Sequence, residues 1–133
     1  MSLTLEDRLD IYELIARYGH LIDERRFGQL GEIFCEDATF ELLGFDEAPG
    51  DTSRCDGLAD ITRMMEQSQQ HPLGHHATNV VVEAGDPVRV ISKGIGVGHG
   101  GKVGSVVYRD CVRRTELGWR IAERVCELRR ADL

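Results

Sequence analysis

The chain changes hydrophobic period once, and that change limits the folds open to it. Ile11, Leu14, Ile15, Tyr18, Leu21 and Ile22 recur at spacings of three and four, which places them on one side of an α-helix. Glu13, Arg17 and His20 fall outside that stripe. Thr4 followed by Asp7 approximates a capping box at its start, with an acid in place of the usual Glu or Gln. A second, shorter helix is expected over residues 27–34 with Leu30, Ile33 and Phe34 inward, although Gly28 and Gly31 oppose it. A third is expected from Asp60 to Gln70, ended by Pro72 and Gly74. Past Gly74 the period is that of strands. ATNVVVEA (77–84), PVRVISKGIGV (87–97), SVVYRDCVRRT (105–115) and GWRIAERVCELR (118–129) are four β-rich runs parted by Gly, Pro and acidic residues. ATFELLGF (38–45) also has β character, and GDTSRCDG (50–57) reads as a polar loop. Helices first and strands afterwards imply an α+β fold, with an antiparallel sheet covered by helices on one face.

Size and charge narrow the class of function. At 133 residues, with no internal repeat or linker, residues 1–133 are expected to form one domain, large enough to fold without a disulfide or a metal. Sixteen basic residues against twenty-three acidic ones give a net charge of −7, and the basic pairs Arg25-Arg26, Arg113-Arg114 and Arg129-Arg130 are short and scattered. A surface that neutralises phosphates needs clustered Lys and Arg, so nucleic acid is not an expected partner. No apolar run approaches the length of a membrane span, and MSLTLEDRLD has neither the basic nor the apolar part of a secretory signal. A cytoplasmic location is expected. Cys35, Cys55, Cys111 and Cys126 show no CxxC spacing and no histidine at finger-like spacing, so neither a zinc site nor a disulfide framework is expected.

Three segments invite a chemical reading. GIGVGHGGKVGS (94–105) matches part of a phosphate loop through Gly96, Gly101 and Lys102, but Val103 stands where the magnesium-binding hydroxyl belongs and a strand follows in place of a helix. A hairpin turn is the expected structure, without a nucleotide. HPLGHHATN holds three of the five histidines. His75 and His76 on one strand point to opposite faces, so they cannot both ligate one ion, and no metal is expected. One of the two faces the core. Beside a carboxylate such an imidazole suits general-base work near neutral pH; without one it is a packed histidine satisfied by hydrogen bonds. Tyr18 on the helical stripe is either a packed ring or a hydrogen-bond donor. Asp23, one residue past Ile22, sits beside the stripe and equally suits a cap for the next helix.

Read as a whole, the chain resembles a known family. LDIYELIARYGHLIDERRF followed by IFCEDATF, then HHATNVVV, then YRDCVRRTELGWRIAERV resemble, in order, the SnoaL-like proteins of the nuclear-transport-factor-like superfamily, from about Leu5 to Leu128. The resemblance implies a cone, in which a strongly curved mixed or antiparallel sheet wraps helices around an apolar pocket. In catalytic layout the chain is most similar to scytalone dehydratase and hexachlorocyclohexane dehydrochlorinase. Both place an Asp shortly after the first-helix tyrosine position and a His at the start of a central strand. Asp23 matches the first. His75 matches the second through the pattern His-x-x-Thr-Asn, with Thr78 and Asn79 in place, so His76 is expected to face away.

The same resemblance implies pocket roles for Tyr18, Tyr108 and Asp110, and for Arg114, which continues that strand face by alternation. Two departures stand out. PVRVISKGIGV lacks the second catalytic histidine of the dehydratase, and Asp110 replaces the common neutral amide, adding a charge to the pocket. The implied function is a cofactor-free lyase or isomerase, of dehydratase or dehydrohalogenase type, using Asp23 and His75 on a small apolar, aromatic or polyketide-like molecule. A homodimer or homotrimer is expected. Two other functions are compatible with the family: a non-catalytic binder of an apolar metabolite, and a structural subunit resembling the small subunit of ring-hydroxylating dioxygenases.

Overall fold

A computed structural model describes residues 2–45, 52–68 and 71–129. Helix α1 spans Leu5–Asp23. The expected capping box is formed: Thr4 Oγ1 accepts the Asp7 N–H at 3.0 Å, and the Asp7 carboxylate accepts the Thr4 N–H at 2.9 Å. Its stripe is driven into the sheet, with Ile11, Ile15 and Ile22 at 1% exposure or less. Each such side chain contributes roughly 1.5–3 kcal/mol over an exposed one.

The segment expected as a second helix is shorter and tighter. Phe27–Glu32 is a 3-10 turn, and Phe34 already opens strand β1 (Phe34–Leu43). Two glycines weaken an α-helix there, while the extended chain beyond it gains a sheet bond, Ile121 N–H to Ile33 O at 2.7 Å. The polar segment 50–57 is not a loop throughout: Thr52–Asp56 is strand β2, antiparallel to β1, with Cys55 turned inward opposite Phe40. Pairing with the open edge of β1 overrides its polar composition; Gly50 and Asp51 lie outside the described residues. Helix α2 covers Leu58–Gln67 and starts at Gly57, whose φ of 94° lies in the left-handed region. The expected bounds are Asp60 to Gln70; the helix instead begins two residues earlier and stops at Gln67, with Ser68 already extended, and Gln69 and Gln70 lie outside the described residues.

The four β-rich runs become β3 (Gly74–Glu83), β4 (Val88–Val97), β5 (Val103–Thr115) and β6 (Gly118–Arg129). The sheet order is β2-β1-β6-β5-β4-β3. Every pairing is antiparallel except β1 with β6, so the sheet is mixed, and it stays open between β2 and β3. The glycine-rich segment is the β4–β5 connection, a short turn at His99–Gly101 in which Gly100 and Gly101 take positive φ.

Two register shifts decide which side chains enter the cone. On β3, Thr78 pairs Lys93 but Val81 pairs Ile91, so one residue is extra; Asn79 absorbs it with a φ of 54°. His75 and Val82, an odd number of residues apart, therefore both face inward. On β6, Glu123 pairs Cys111 but Ile121 pairs Val112, which makes Ala122 the extra residue. Trp119 and Ile121 face the core before this bulge, and Arg124 and Cys126 face it afterwards. Helix α1 crosses β3 at Gly19, where a Cβ would stand 2.7 Å from the His75 carbonyl oxygen. Only glycine permits that approach.

Candidate functional site

The crossing at Gly19 delivers Asp23, the last residue of α1, to the start of β3. β3 is a sheet edge, where an outward N–H has no strand partner. The Asp23 carboxylate fills that place, accepting the His75 backbone N–H at 3.1 Å on Oδ1 and 3.0 Å on Oδ2. It also meets the ring: His75 Nδ1 lies 2.6 Å from Asp23 Oδ1. A carboxylate only accepts, so Nδ1 carries a proton, and in the neutral ring the lone pair is on Nε2. The pair is partly buried, with side-chain exposures of 16% for His75 and 24% for Asp23. His76 is exposed, on the other face of β3.

Behind the pair the inner face is aromatic. The Tyr18 ring stands edge-on to His75 at 6.1 Å and to Tyr108 at 5.9 Å, with Phe34 and Phe40 closing its other sides. The Tyr108 ring fills space left by Gly94 on β4, where a Cβ would come within 2.5 Å of it. Burial pushes the Tyr18 and Tyr108 hydroxyls above the ordinary phenol pKa, so both are neutral and able to donate. Burial likewise pushes the Cys126 thiol, beside them on β6, up to about 12, which removes it as a thiolate nucleophile.

Asp110 faces the same interior but does not leave a free charge there. Arg124 donates to it side-on, Nε to Oδ1 at 2.8 Å and Nη2 to Oδ2 at 2.9 Å, with both side chains essentially unexposed. The guanidinium is clamped between Tyr18 and Tyr108, 4.4 and 4.1 Å from their ring centroids. Burial opposes its charge, but Asp110 and the two hydrogen bonds outweigh that, and the Arg124 pKa lies above its ordinary value. Arg124 is the site residue that strand alternation hides. Counting by twos from Trp119 and Ile121 places it on the outer face, and only the bulge at Ala122 turns it in. Its visible signal is slight, the second of two arginines in the run WRIAERVC, directly before the apolar Val125 and Cys126.

Arg114 is not brought to this site. Its guanidinium ion-pairs with Asp7 and lies 5.4 Å from the Trp119 ring centroid, and its side chain is 59% exposed. Asp7, which also accepts the Trp119 N–H at 3.2 Å, is sixteen residues before Asp23 on the same helix, roughly 24 Å along its axis. Alternation along β5 does keep Arg114 in phase with Tyr108. The strand is simply longer than the site, and the far end of that face meets the start of α1.

Two open clefts of about 410 Å³ each lie elsewhere. One is lined by Asp37, Arg113, Arg114 and Trp119, the other by Glu41, Arg89, Arg109 and Glu123 and bordered also by Asp110 and Arg124, and neither includes Asp23 or His75. Among the described residues no three His, Cys, Asp or Glu side chains are placed to hold a metal ion, and no helix is long and apolar enough to cross a membrane.

Comparison with known proteins agrees with the architecture. A family described as SnoaL-like domain matches residues 3–125. A nuclear-transport-factor-like protein with a cystatin-like fold from Novosphingobium aromaticivorans is similar at 28% identity and a TM-score of 0.72, over 96% of this chain and 84% of that one. A protein of unknown function from Nostoc punctiforme superposes with a TM-score of 0.81 at 20% identity, covering 98% and 97% of the two chains. Hexachlorocyclohexane dehydrochlorinase from Novosphingobium barchaimii gives a TM-score of 0.73 at 20% identity, over 95% and 88%. No curated protein sequence matches.

Proposed function

The chain belongs to the SnoaL-like domain family, and on that premise we propose that it is a small-molecule lyase or isomerase in which Asp23 and His75 form the acid–base pair. The observation that carries this reading is the 2.6 Å contact between Asp23 Oδ1 and His75 Nδ1, which leaves Nε2 as a base. In the reaction Nε2 takes a proton from a substrate carbon, and the C–H electron pair forms a new double bond. Asp23 holds the imidazole in its productive tautomer and stabilises the imidazolium that results. In elimination a neighbouring hydroxide or halide departs with its bonding pair. In isomerisation the proton returns to a different carbon. Tyr18 and Tyr108, kept neutral, donate to the oxygen or leaving group on which charge develops.

The aromatic wall of Tyr18, Phe34, Phe40 and Tyr108 suits an apolar or aromatic substrate, and the similarity to a dehydrochlorinase favours elimination. We further propose a homodimer or homotrimer formed through the outer face of the sheet, where Val81, Ile91, Ile95 and Val97 are exposed side by side.

The test is a screen of cyclic alcohols, halides and enones for loss of water or halide, or for a shifted double bond. For a compound that is consumed, His75→Ala and Asp23→Asn are each expected to lower kcat/KM by roughly 10²–10⁴-fold, the range of a positioned acid–base group. The melting temperature should move by only a few degrees. Undiminished turnover in His75→Ala sinks the pair. Binding without consumption by the wild type identifies a carrier or sensor, and a stable hetero-complex identifies a structural subunit.

A further inference from the structure

The outer face of the sheet carries charges that contacts within the chain do not match. Three strands pair there without a register shift, so outward side chains stand in rows across β4, β5 and β6. Arg89 on β4 and Glu123 on β6 flank Cys111 of β5. In the next row Ile91 and Val125 flank Arg109, and in the one after it Lys93 and Glu127 flank Val107. Along this face β4 therefore presents base, apolar, base, while β6 presents acid, apolar, acid. The two outer members of a row are two strands apart, about 10 Å, too far for a direct ion pair. Arg89, Lys93 and Glu123 are exposed, and among the described residues none of them forms an ion pair. Between the rows lies one of the open clefts of about 410 Å³, lined in part by Arg89, Ile91, Glu123 and Val125.

We propose that this face binds a second copy of the chain in a homodimer whose two-fold axis runs along β5; this rests on the outer-face association proposed above and fixes its symmetry. Two sheets stacked face to face about such an axis, roughly 10 Å apart, set β4 of one protomer over β6 of the other. Arg89 then meets the partner's Glu123, Ile91 meets the partner's Val125, and Lys93 meets the partner's Glu127. Each contact occurs twice, as in any isologous interface. The twist of about 30° between aligned sheets displaces the row ends by a distance that Arg, Lys and Glu side chains span. Arg109, close to the axis, is offset by Glu127 of its own chain at 3.1 Å. The same charges disfavour a two-fold axis across the strands. Along the Arg109 row, that axis would set Arg89 over the partner's Lys93 and Glu123 over the partner's Glu127. A ring of three needs two different patches on each subunit, whereas this face complements itself. Burial of the apolar row supplies the affinity, and the flanking charges fix the orientation.

Sedimentation equilibrium of the full chain tests this by charge reversal. The wild type is expected to be a dimer whose Kd rises about tenfold between about 0.05 M and 0.5 M salt. Arg89→Glu and Glu123→Arg each turn two attractions into two repulsions, and each should raise the Kd by roughly 100-fold or more. An equimolar mixture of the two variants should form a heterodimer with a Kd within about tenfold of the wild type, because every reversed charge then meets its complement. Both side chains are exposed, so the circular dichroism of each variant should match that of the wild type. A wild-type monomer or trimer, a Kd indifferent to salt, or a mixture that fails to associate overturns the two-fold. Dissociation by Ile91→Lys with Ile95→Lys but by neither charge reversal also overturns it, yet keeps the outer face as the interface. Dissociation by none of these removes the outer face as well. The acid–base reading stands or falls separately, since Asp23 and His75 do not lie on this face.

Discussion

One carboxylate at Asp23 closes the sheet edge through the His75 N–H and fixes the His75 tautomer through Nδ1. Asparagine keeps an acceptor for the backbone but cannot hold an imidazolium, which is why Asp23→Asn separates the structural task from the chemical one. Asp110 and Arg124 are coupled differently, because neither charge is accessible to water. Asp110→Ala strands a buried guanidinium and is expected to cost roughly 3–5 kcal/mol in urea denaturation. Asp110→Leu combined with Arg124→Met removes both charges and should recover most of that loss. If the double variant is no more stable than Asp110→Ala, the cost lies in packing and not in the unpaired charge. Asp110 was legible as a polar pocket residue; its neutralisation was not, because the partner lies on another strand beyond a bulge.

At the level of elements, the ends of α1 and the bulge on β3 set the site. The Asp7 carboxyl is held below its ordinary value of 3.8, chiefly by the Thr4 backbone N–H, with Trp119 and Arg114 adding to it against the effect of burial. A carboxyl whose folded pKa is depressed contributes stability above the unfolded pKa and loses it as the pH falls through the folded one. Asp7→Asn should therefore flatten the fall of the melting temperature below about pH 4. An unchanged acid limb would assign that limb to other carboxylates, such as Asp37 beside Arg113. Asn79 is the hinge of β3, left-handed at a φ of 54°. Asn79→Val forces a branched side chain into that region and is expected to cost about 1–3 kcal/mol and to impair turnover by turning His75 out of line, whereas Asn79→Gly should preserve both. Equal stability of the two variants would show that the bulge does not depend on the left-handed residue. The sequence carried Asn79 only as part of a resemblance, since nothing in HHATNVVVE signals where pairing skips a residue.

Over the whole molecule, the sheet has an inner face filled by α1 and an outer face on which Val81, Ile91, Ile95 and Val97 are 38–52% exposed. If subunits associate there, Ile91→Lys combined with Ile95→Lys should yield a monomer in size-exclusion chromatography while leaving the core packing intact. An unchanged elution volume would place any interface elsewhere.

The order and type of the main elements were written in local pattern: a three-to-four spacing for α1, a helix before the breakers Pro72 and Gly74 for α2, and four β-rich runs for β3 to β6. These follow from side-chain direction along helix and strand, which depends only on near neighbours. The distance from Asp23 to His75, the turning inward of Arg124 and the removal of Arg114 to the far end of β5 depend on contacts between residues remote in sequence. A bulge reverses every facing beyond it, and where it falls is decided by pairing with the neighbouring strand. The sequence by itself determined an α+β chain with a histidine at the start of β3. The tertiary structure decided what that histidine meets, because the absence of a side chain at Gly19 lets the end of α1 close on the start of β3, where a Cβ would stand 2.7 Å from the His75 carbonyl oxygen.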